Sequence, residues 1–321
     1  MKDMKTLAQG NKRMILICIS IILVIIIFVA AVVLGYLREK METIENSLSY
    51  SSSSPIEYEC REGKVYSWRT PPNSLYGIKE AANNQYDRIR FTMRVTKDGK
   101  YVLAHDDLIN GIARNKDGTV IKKKVSIANH TLKELDEYDY GIQFGSKYAG
   151  MRIPKLEDAL RYSNIFNLSV TLEMYDFAPS KDQVKELVLM ISKYNQIKNL
   201  LLVNGMPFDK QMYQMFKDEC PYISYFVGAS LDEIKKIQKD IDELKSGKNE
   251  IYWCLHPWPA IPSEKEIQYA ANHGLLLFYT GITNMNDLKK LGFDKGIRRI
   301  QCQDIPMVKE QVRKWANALI N

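Results

Sequence analysis

The sequence predicts a (β/α)8 TIM barrel preceded by one N-terminal transmembrane helix. Three patterns carry this reading. Short β-rich runs alternate with amphipathic helical stretches over most of the chain, the mark of a parallel sheet. Nine such runs fall within roughly 260 residues, a density that favours a closed eight-stranded barrel over an open doubly wound sheet. Residues Met14–Leu37, "MILICISIILVIIIFVAAVVLGYL", carry no charge, and a run longer than about 18 apolar residues spans a bilayer as a helix.

From the N-terminus, residues 1–13 form a short basic segment containing Lys2, Lys5, Lys12 and Arg13. The apolar run at 14–37 is too long for a cleaved secretory signal, whose apolar region is about 7–15 residues. Arg38, Glu39 and Lys40 nearly balance after it, so the positive-inside bias keeps the N-terminus cytoplasmic and the main domain extracellular. Residues 38–55 end in the serine-rich "SLSYSSSSP", a flexible tether. The barrel occupies 56–321. Its candidate strands are "KVYSW" (64–68), "RIRFTM" (88–93), "YVLAH" (101–105), "LSVTLEM" (168–174), "NLLLV" (199–203), "SYFVG" (224–228), "IYWCL" (251–255), "LLLFYT" (275–280) and "RRIQC" (298–302). Nine candidates compete for eight places, so one is not a barrel strand. "SLDEIKKIQKDIDELKSG" (230–247) reads as an outer helix with a wet face.

Composition excludes one class. The net charge of +7 concentrates at the N-terminus: residues 1–40 hold six of the 45 basic and two of the 38 acidic side chains, leaving 39 against 36 in the remainder. That balance gives no footprint for nucleic acid. Lys122–Lys123–Lys124 reads as a solvated turn. Cys18, Cys60, Cys220, Cys254 and Cys302 show no metal-ligand or CxxC spacing, so buried thiols are expected rather than a disulfide.

In a barrel of this kind reactive groups gather at the carboxyl ends of the strands. These are Trp68 and Arg69, Arg90 and Thr92, His105 and Asp106, Glu173, His256, and Tyr279. The stretch "RIRFTMRV" alternates Ile89, Phe91 and Met93 with Arg90, Thr92 and Arg94, which sends cations and a hydroxyl to the barrel interior.

Collinear motifs at these positions resemble the glycerophosphodiester phosphodiesterase family. "SWRTPPNSL" (67–75) stands where the family has His-Arg-Gly and Pro-Glu-Asn-Thr-Leu. "VTKDGKYVLAHDD" (95–107) follows its Thr-Lys-Asp-Gly turn and His-Asp, and "LKELDEYDYG" (132–141), "RIPKLEDAL" (152–160), "VTLEMY" (170–175), "LFYTGITN" (277–284) and "IQCQDIP" (300–306) follow later motifs. The resemblance implies a calcium- or magnesium-type cation held by Glu and Asp on the second strand and a Glu on a later one. It also implies two histidines exchanging protons and an arginine fork on the phosphate. Of these, His105, Arg69 and Glu173 are retained. Trp68 replaces the first histidine, Arg90 the metal Glu, Thr92 the metal Asp, and Tyr175 a lysine.

A guanidinium has no acceptor and repels a cation, and an indole cannot relay a proton. The expectation is therefore a membrane-tethered pseudoenzyme with no metal, weak or lost phosphoric diester hydrolase activity, and retained binding of a glycerophosphodiester or glycerophosphate-polymer ligand. Arg69 and Arg90 would bind phosphate, Trp68, Tyr175 and Tyr279 would contact the carbon skeleton, and His105 would supply acid or base. The alternatives are a metal-independent phosphodiesterase in which Arg90 replaces the cation, a mere internal salt bridge between Arg90 and Glu173, and a structural partner in an envelope assembly.

Overall fold

The chain divides into two units, Met1–Pro55 and Ile56–Asn321. The computed structural model describes residues 56–64, 70–197, 200–204, 208–256, 261–282, 297–302 and 304–320. The expected membrane helix at 14–37 and the tether lie outside them; among the described residues no helix is long and apolar enough to cross a membrane.

Nine strands form one sheet: β1 (Glu57–Arg61), β2 (Arg88–Val95), β3 (Tyr101–Leu103), β4 (Ser169–Met174), β5 (Leu201–Asn204), β6 (Ser224–Ala229), β7 (Ile251–Leu255), β8 (Leu276–Ile282) and β9 (Ile297–Cys302). All except β3 pair in parallel, and β1 pairs with both β2 and β9, which closes the eight-stranded barrel. The helices among the described residues are α1 (Leu75–Asn83), α2 (Leu132–Leu135), α3 (Leu156–Ile165), α4 (Lys181–Lys193), α5 (Lys210–Glu219), α6 (Leu231–Lys236), α7 (Gln238–Leu244), α8 (Glu264–Asn272) and α9 (Ile305–Ile320).

Two strand expectations are corrected. The first barrel strand is Glu57–Arg61, ahead of the 64–68 run, most of which lies outside the described residues. The surplus ninth candidate is β3, an antiparallel hairpin partner of β2 turned at Gly99, whose φ of 74° suits glycine. The long helix expected over 230–247 breaks into α6 and α7.

Serine or aspartate side chains at Ser74, Ser180, Asp209 and Ser230 accept a backbone N–H from the first turn of α1, α4, α5 and α6, each cap stabilising its helix by about 1 kcal/mol. Outside the barrel, Ile89, Phe91 and Met93 of β2 are fully buried, each contributing about 1.5–3 kcal/mol through burial. Inside, the wall is divided. Leu201, Val203, Phe226, Tyr252, Cys254 and Phe278 form an apolar cluster from β5 to β8. The opposite wall, from β9, β1, β2 and β4, is charged, and it builds the site.

Candidate active site

Strand geometry sends every second residue inward, so β1 contributes Glu57, Glu59 and Arg61 as an ascending column. At the lowest level Glu57 accepts from Arg299 Nε at 2.8 Å and Arg88 Nε at 3.4 Å. Arg88 Nη1 also donates to Val170 O at 2.8 Å, and the Arg299 guanidinium lies 3.9 Å from the Tyr252 ring centroid. Ionic pairing at this depth offsets the loss of hydration that each charge suffers.

At the next level Arg90 Nε donates to Glu59 Oε1 at 2.8 Å and Gln301 Nε2 donates to the same oxygen at 3.0 Å. Thr171 Oγ1 donates to Glu59 Oε2. The Arg90 guanidinium lies 5.3 Å from the Phe226 ring centroid and 5.2 Å from that of Phe278, within cation–π range of both. Its Nη1 reaches up to Glu173 Oε1 at 3.4 Å. Glu173 is fully engaged: Oε1 also accepts from Tyr175 OH at 2.8 Å, and Oε2 accepts from Thr92 Oγ1 at 2.7 Å.

Electrostatics follow this layout. Burial alone raises the carboxyls of Glu59 and Glu173, but the Arg90 charge and the threonine hydroxyls outweigh it and hold both below the ordinary 4.5. Glu57 is held below 4.5 against the same burial by Arg88 and Arg299. A carboxylate whose folded pKa is depressed binds its proton first in the unfolded chain, so it contributes stability above the unfolded pKa and loses it as acid titrates the folded state. Stability is therefore expected to hold from neutral pH down to about 4.5 and to fall steeply below it. Thermal midpoints measured against pH check this, and a midpoint that stays level well below that point would contradict the ionic wall.

At the rim, the chain leaves β1 through Glu62 (φ 54°) and Gly63 (φ 72°) in the left-handed region. A Cβ on Gly63 would stand 2.6 Å from the Gly77 backbone, so only glycine allows this approach. Glu62 is buried and ion-paired with Lys64. Arg94 joins Asp176 Oδ2 at 2.8 Å and donates to His105 O at 2.6 Å. His105 Nδ1 lies 2.8 Å from Asp106 Oδ1, with its imidazole half-exposed and its centroid 6.1 Å from that of Tyr175. Glu62, Lys64, Asn73, His105 and Asp106 line a cleft beside the barrel mouth.

The structure thus gathers His105, Tyr175, Glu173 and Arg90 at one end of the barrel. Arg90, expected on the phosphate, is buried at 6 % exposure with its Nε and Nη1 committed to carboxylates. Tyr279, expected as a ligand contact, is corrected: it is buried at 4 % exposure on β8 next to Phe278, and Phe278 is the residue that faces the interior, so Tyr279 faces away from it. Trp68 and Arg69 lie outside the described residues. Because β1 ends at Arg61, the tripeptide at the end of the first strand is Arg61-Glu62-Gly63, not the Trp68-Arg69 pair. His256 follows β7, where its backbone N–H donates to Ala229 O at 3.2 Å. Cys60, Cys220, Cys254 and Cys302 are buried free thiols. Among the described residues no group of three His, Cys, Asp or Glu side chains could hold a metal ion.

Glu59, Arg61 and Glu62 are the site residues that sequence reading missed. Their signal was the period-two pattern of "EYECR", in which Glu57, Glu59 and Arg61 alternate with Tyr58 and Cys60.

Comparison with known proteins agrees with this architecture. A model of the glycerophosphoryl diester phosphodiesterase family matches residues 66–252, more than half of the chain. A glycerophosphodiester phosphodiesterase of Caldanaerobacter subterraneus subsp. tengcongensis is 30% identical over 191 residues, covering 59% of this chain and 65% of the relative. One from Bacillus altitudinis is 24% identical over 162 residues, 49% of this chain and 60% of the relative. The chain therefore spans less than two thirds of the length of either relative. Among solved structures, a glycerophosphodiester phosphodiesterase of Agrobacterium tumefaciens superposes with a TM-score of 0.61 at 15% identity, covering 79% of this chain and 99% of that one. An Oleispira antarctica phosphodiesterase in complex with the product sn-glycerol-3-phosphate gives 0.57 at 15% identity, covering 82% and 98%. These likenesses share the fold. Collinear motifs, a closed parallel barrel and the match over most of its strands lead to one conclusion: the chain belongs to the glycerophosphoryl diester phosphodiesterase family.

Proposed function

We propose that this chain is a membrane-tethered member of its family whose outward-facing barrel binds a glycerophosphodiester or glycerophosphate-polymer unit, and whose metal-dependent hydrolysis is weak or lost. The observation that carries the reading is the Arg90 guanidinium between Glu59 and Glu173. A family cation would need carboxylate oxygens free to face it. Here both oxygens of Glu173 accept from Arg90, Tyr175 and Thr92, and the positions that the resemblance assigns to the other ligands carry a guanidinium and a hydroxyl. The residues present do not fit a divalent cation, so no step is derived through one.

The chain retains groups suited to a ligand. Half-exposed His105 is held by Asp106 through Nδ1 and can donate a ring N–H to a phosphate oxygen. The Tyr175 ring, packed beneath the Arg94 guanidinium at 5.7 Å, offers an apolar face to a carbon skeleton. The uncharged run at 14–37 supports a single-pass anchor with the barrel outside the cell, next to lipid headgroups and envelope polymers.

Hydrolysis of glycerophosphocholine by the purified full-length chain, with and without EDTA, tests the loss of metal-dependent turnover. The expected result is no EDTA-sensitive release of glycerol phosphate. Brisk turnover abolished by EDTA would overturn the reading, and turnover indifferent to EDTA would establish the metal-independent alternative with His105 as acid or base.

A further inference from the structure

We infer that the run Lys122–Lys123–Lys124, with Val120 beside it, is a docking surface for an anionic phospholipid bilayer. The inference rests on the membrane-tethered reading above and goes beyond it by naming the surface that the barrel turns toward lipid.

Sequence alone reads these lysines as a solvated turn, whereas the structure makes them a fixed projection. Ile121 and Val125, on either side of the run, are buried with Ile109 in the apolar core of the segment that follows His105. Asn110 staples the stretch between them: its Nδ2 donates to Ile121 O at 3.1 Å and to Lys123 O at 2.7 Å, and its Oδ1 accepts from Val125 N at 3.0 Å. Ile109 N donates to Val125 O at 3.0 Å. The three lysine side chains are left exposed on this held backbone, so docking does not have to order a loose turn first.

The charge on this projection is uncancelled. Residues 118–133 hold four lysines and no acid. Asp117, the acid before them, turns back to accept from Thr119 N at 2.9 Å and Thr119 Oγ1 at 2.6 Å, and Lys116 pairs with Glu137 at 2.7 Å. Among the described residues no ion pair engages Lys122, Lys123 or Lys124. Three neighbouring cations of this kind complement an anionic surface; each is worth roughly fivefold in affinity there, so the run favours the docked state about a hundredfold.

Val120 decides which anionic surface. It is 62 % exposed, and an apolar tip beside lysines gains by leaving water beneath lipid headgroups, a gain that a soluble polyanion does not offer. The segment also adjoins the site: Gly111 and Ile112, the residues after Asn110, line the cleft that contains His105. A barrel resting on this segment keeps that cleft close to the headgroups.

The full-length chain reconstituted in phosphatidylcholine vesicles, with and without phosphatidylglycerol, tests the surface through acetylation by a membrane-impermeant ester, read residue by residue by mass spectrometry. Exposed Lys185 on α4 is the reference, so that only barrels facing the reagent are counted. With phosphatidylglycerol, Lys122, Lys123 and Lys124 are expected to react about tenfold more slowly or less, relative to Lys185, and high salt should restore them by screening the field. In Lys122→Gln with Lys123→Gln, Lys124 should lose most of its protection, a change that burial by the protein itself would not produce. Val120→Asp should weaken the protection as well, and it decides alone if the double variant does not fold. Equal reactivity in the two kinds of vesicle overturns the surface and leaves the tether standing. Failure of the chain to float with either kind overturns the tether and the inference with it. Protection by soluble inorganic polyphosphate as strong as by phosphatidylglycerol, and unchanged in Val120→Asp, would assign the lysines to a polyanion and overturn the bilayer.

Discussion

Glu59→Gln is expected to lower the unfolding free energy by about 3–5 kcal/mol, the usual loss when one partner of a buried ion pair is removed. Glu59 has no solvent exposure, and its two oxygens accept from Arg90, Gln301 and Thr171. Glutamine matches the volume but presents an amide N–H₂ on one side, where it must face a donor instead of receiving from one. Arg90 would then stay in the interior with Glu173, at 3.4 Å, as its remaining ionic partner. Removing both charges together, as Glu59→Gln with Arg90→Met, should cost less than the sum of the two single changes, because neither ion is left stranded. Urea unfolding at neutral pH measures all three variants through their midpoints, provided the slope is unchanged. A loss below about 1 kcal/mol for Glu59→Gln would place the pair among weak, solvated salt bridges and remove the basis for reading Arg90 as a fixed internal charge.

The second strand was legible because its pattern is local. Arg88, Arg90 and Thr92 alternate with Ile89, Phe91 and Met93, and the structure turns the two sets to opposite faces. What Arg90 meets was not legible. Glu59 lies 31 residues upstream in a stretch that follows serines and carries charges at alternate positions, residues that disfavour strands when nothing pairs them. Only closure of the barrel brings the guanidinium to the carboxylate, so tertiary pairing overrides local preference. The run at 101–105 misled in the opposite sense: a hairpin partner and a barrel strand are both short and apolar, and periodicity does not separate them. Tyr279 shows a further limit. Leu276 and Phe278 share the interior face of β8, so simple alternation turns Tyr279 outward. The run "LLLFYT" is apolar at nearly every position, and without a polar alternation the sequence does not say which set of residues faces inward.

Arg90→Glu combined with Thr92→Asp is expected to make the stability of the barrel depend on calcium, which the wild type should not show. The change places two new carboxylates, two residues apart on β2, beside Glu173 and within reach of Glu59, at the positions that the family resemblance assigns to a cation. Without an ion the cluster is repulsive: like charges in a buried layer raise one another's pKa and weaken the fold. A hard cation supplies what the guanidinium supplied before, and oxygen ligands of this type suit calcium. Binding to the folded state alone then adds stability as RT ln(1 + [L]/Kd), about 2.7 kcal/mol when calcium stands 100-fold above Kd, which appears as a rise in melting temperature reversed by EDTA. The wild type, with its permanent internal cation, should melt at one temperature in either condition. A folded double variant that ignores calcium would mean that the guanidinium does not sit where the ion belongs, and a wild type that gains stability from calcium would mean that the protein still holds one. Either result separates the position of Arg90 from the fate of the metal, because the first concerns geometry alone and the second concerns the ion alone.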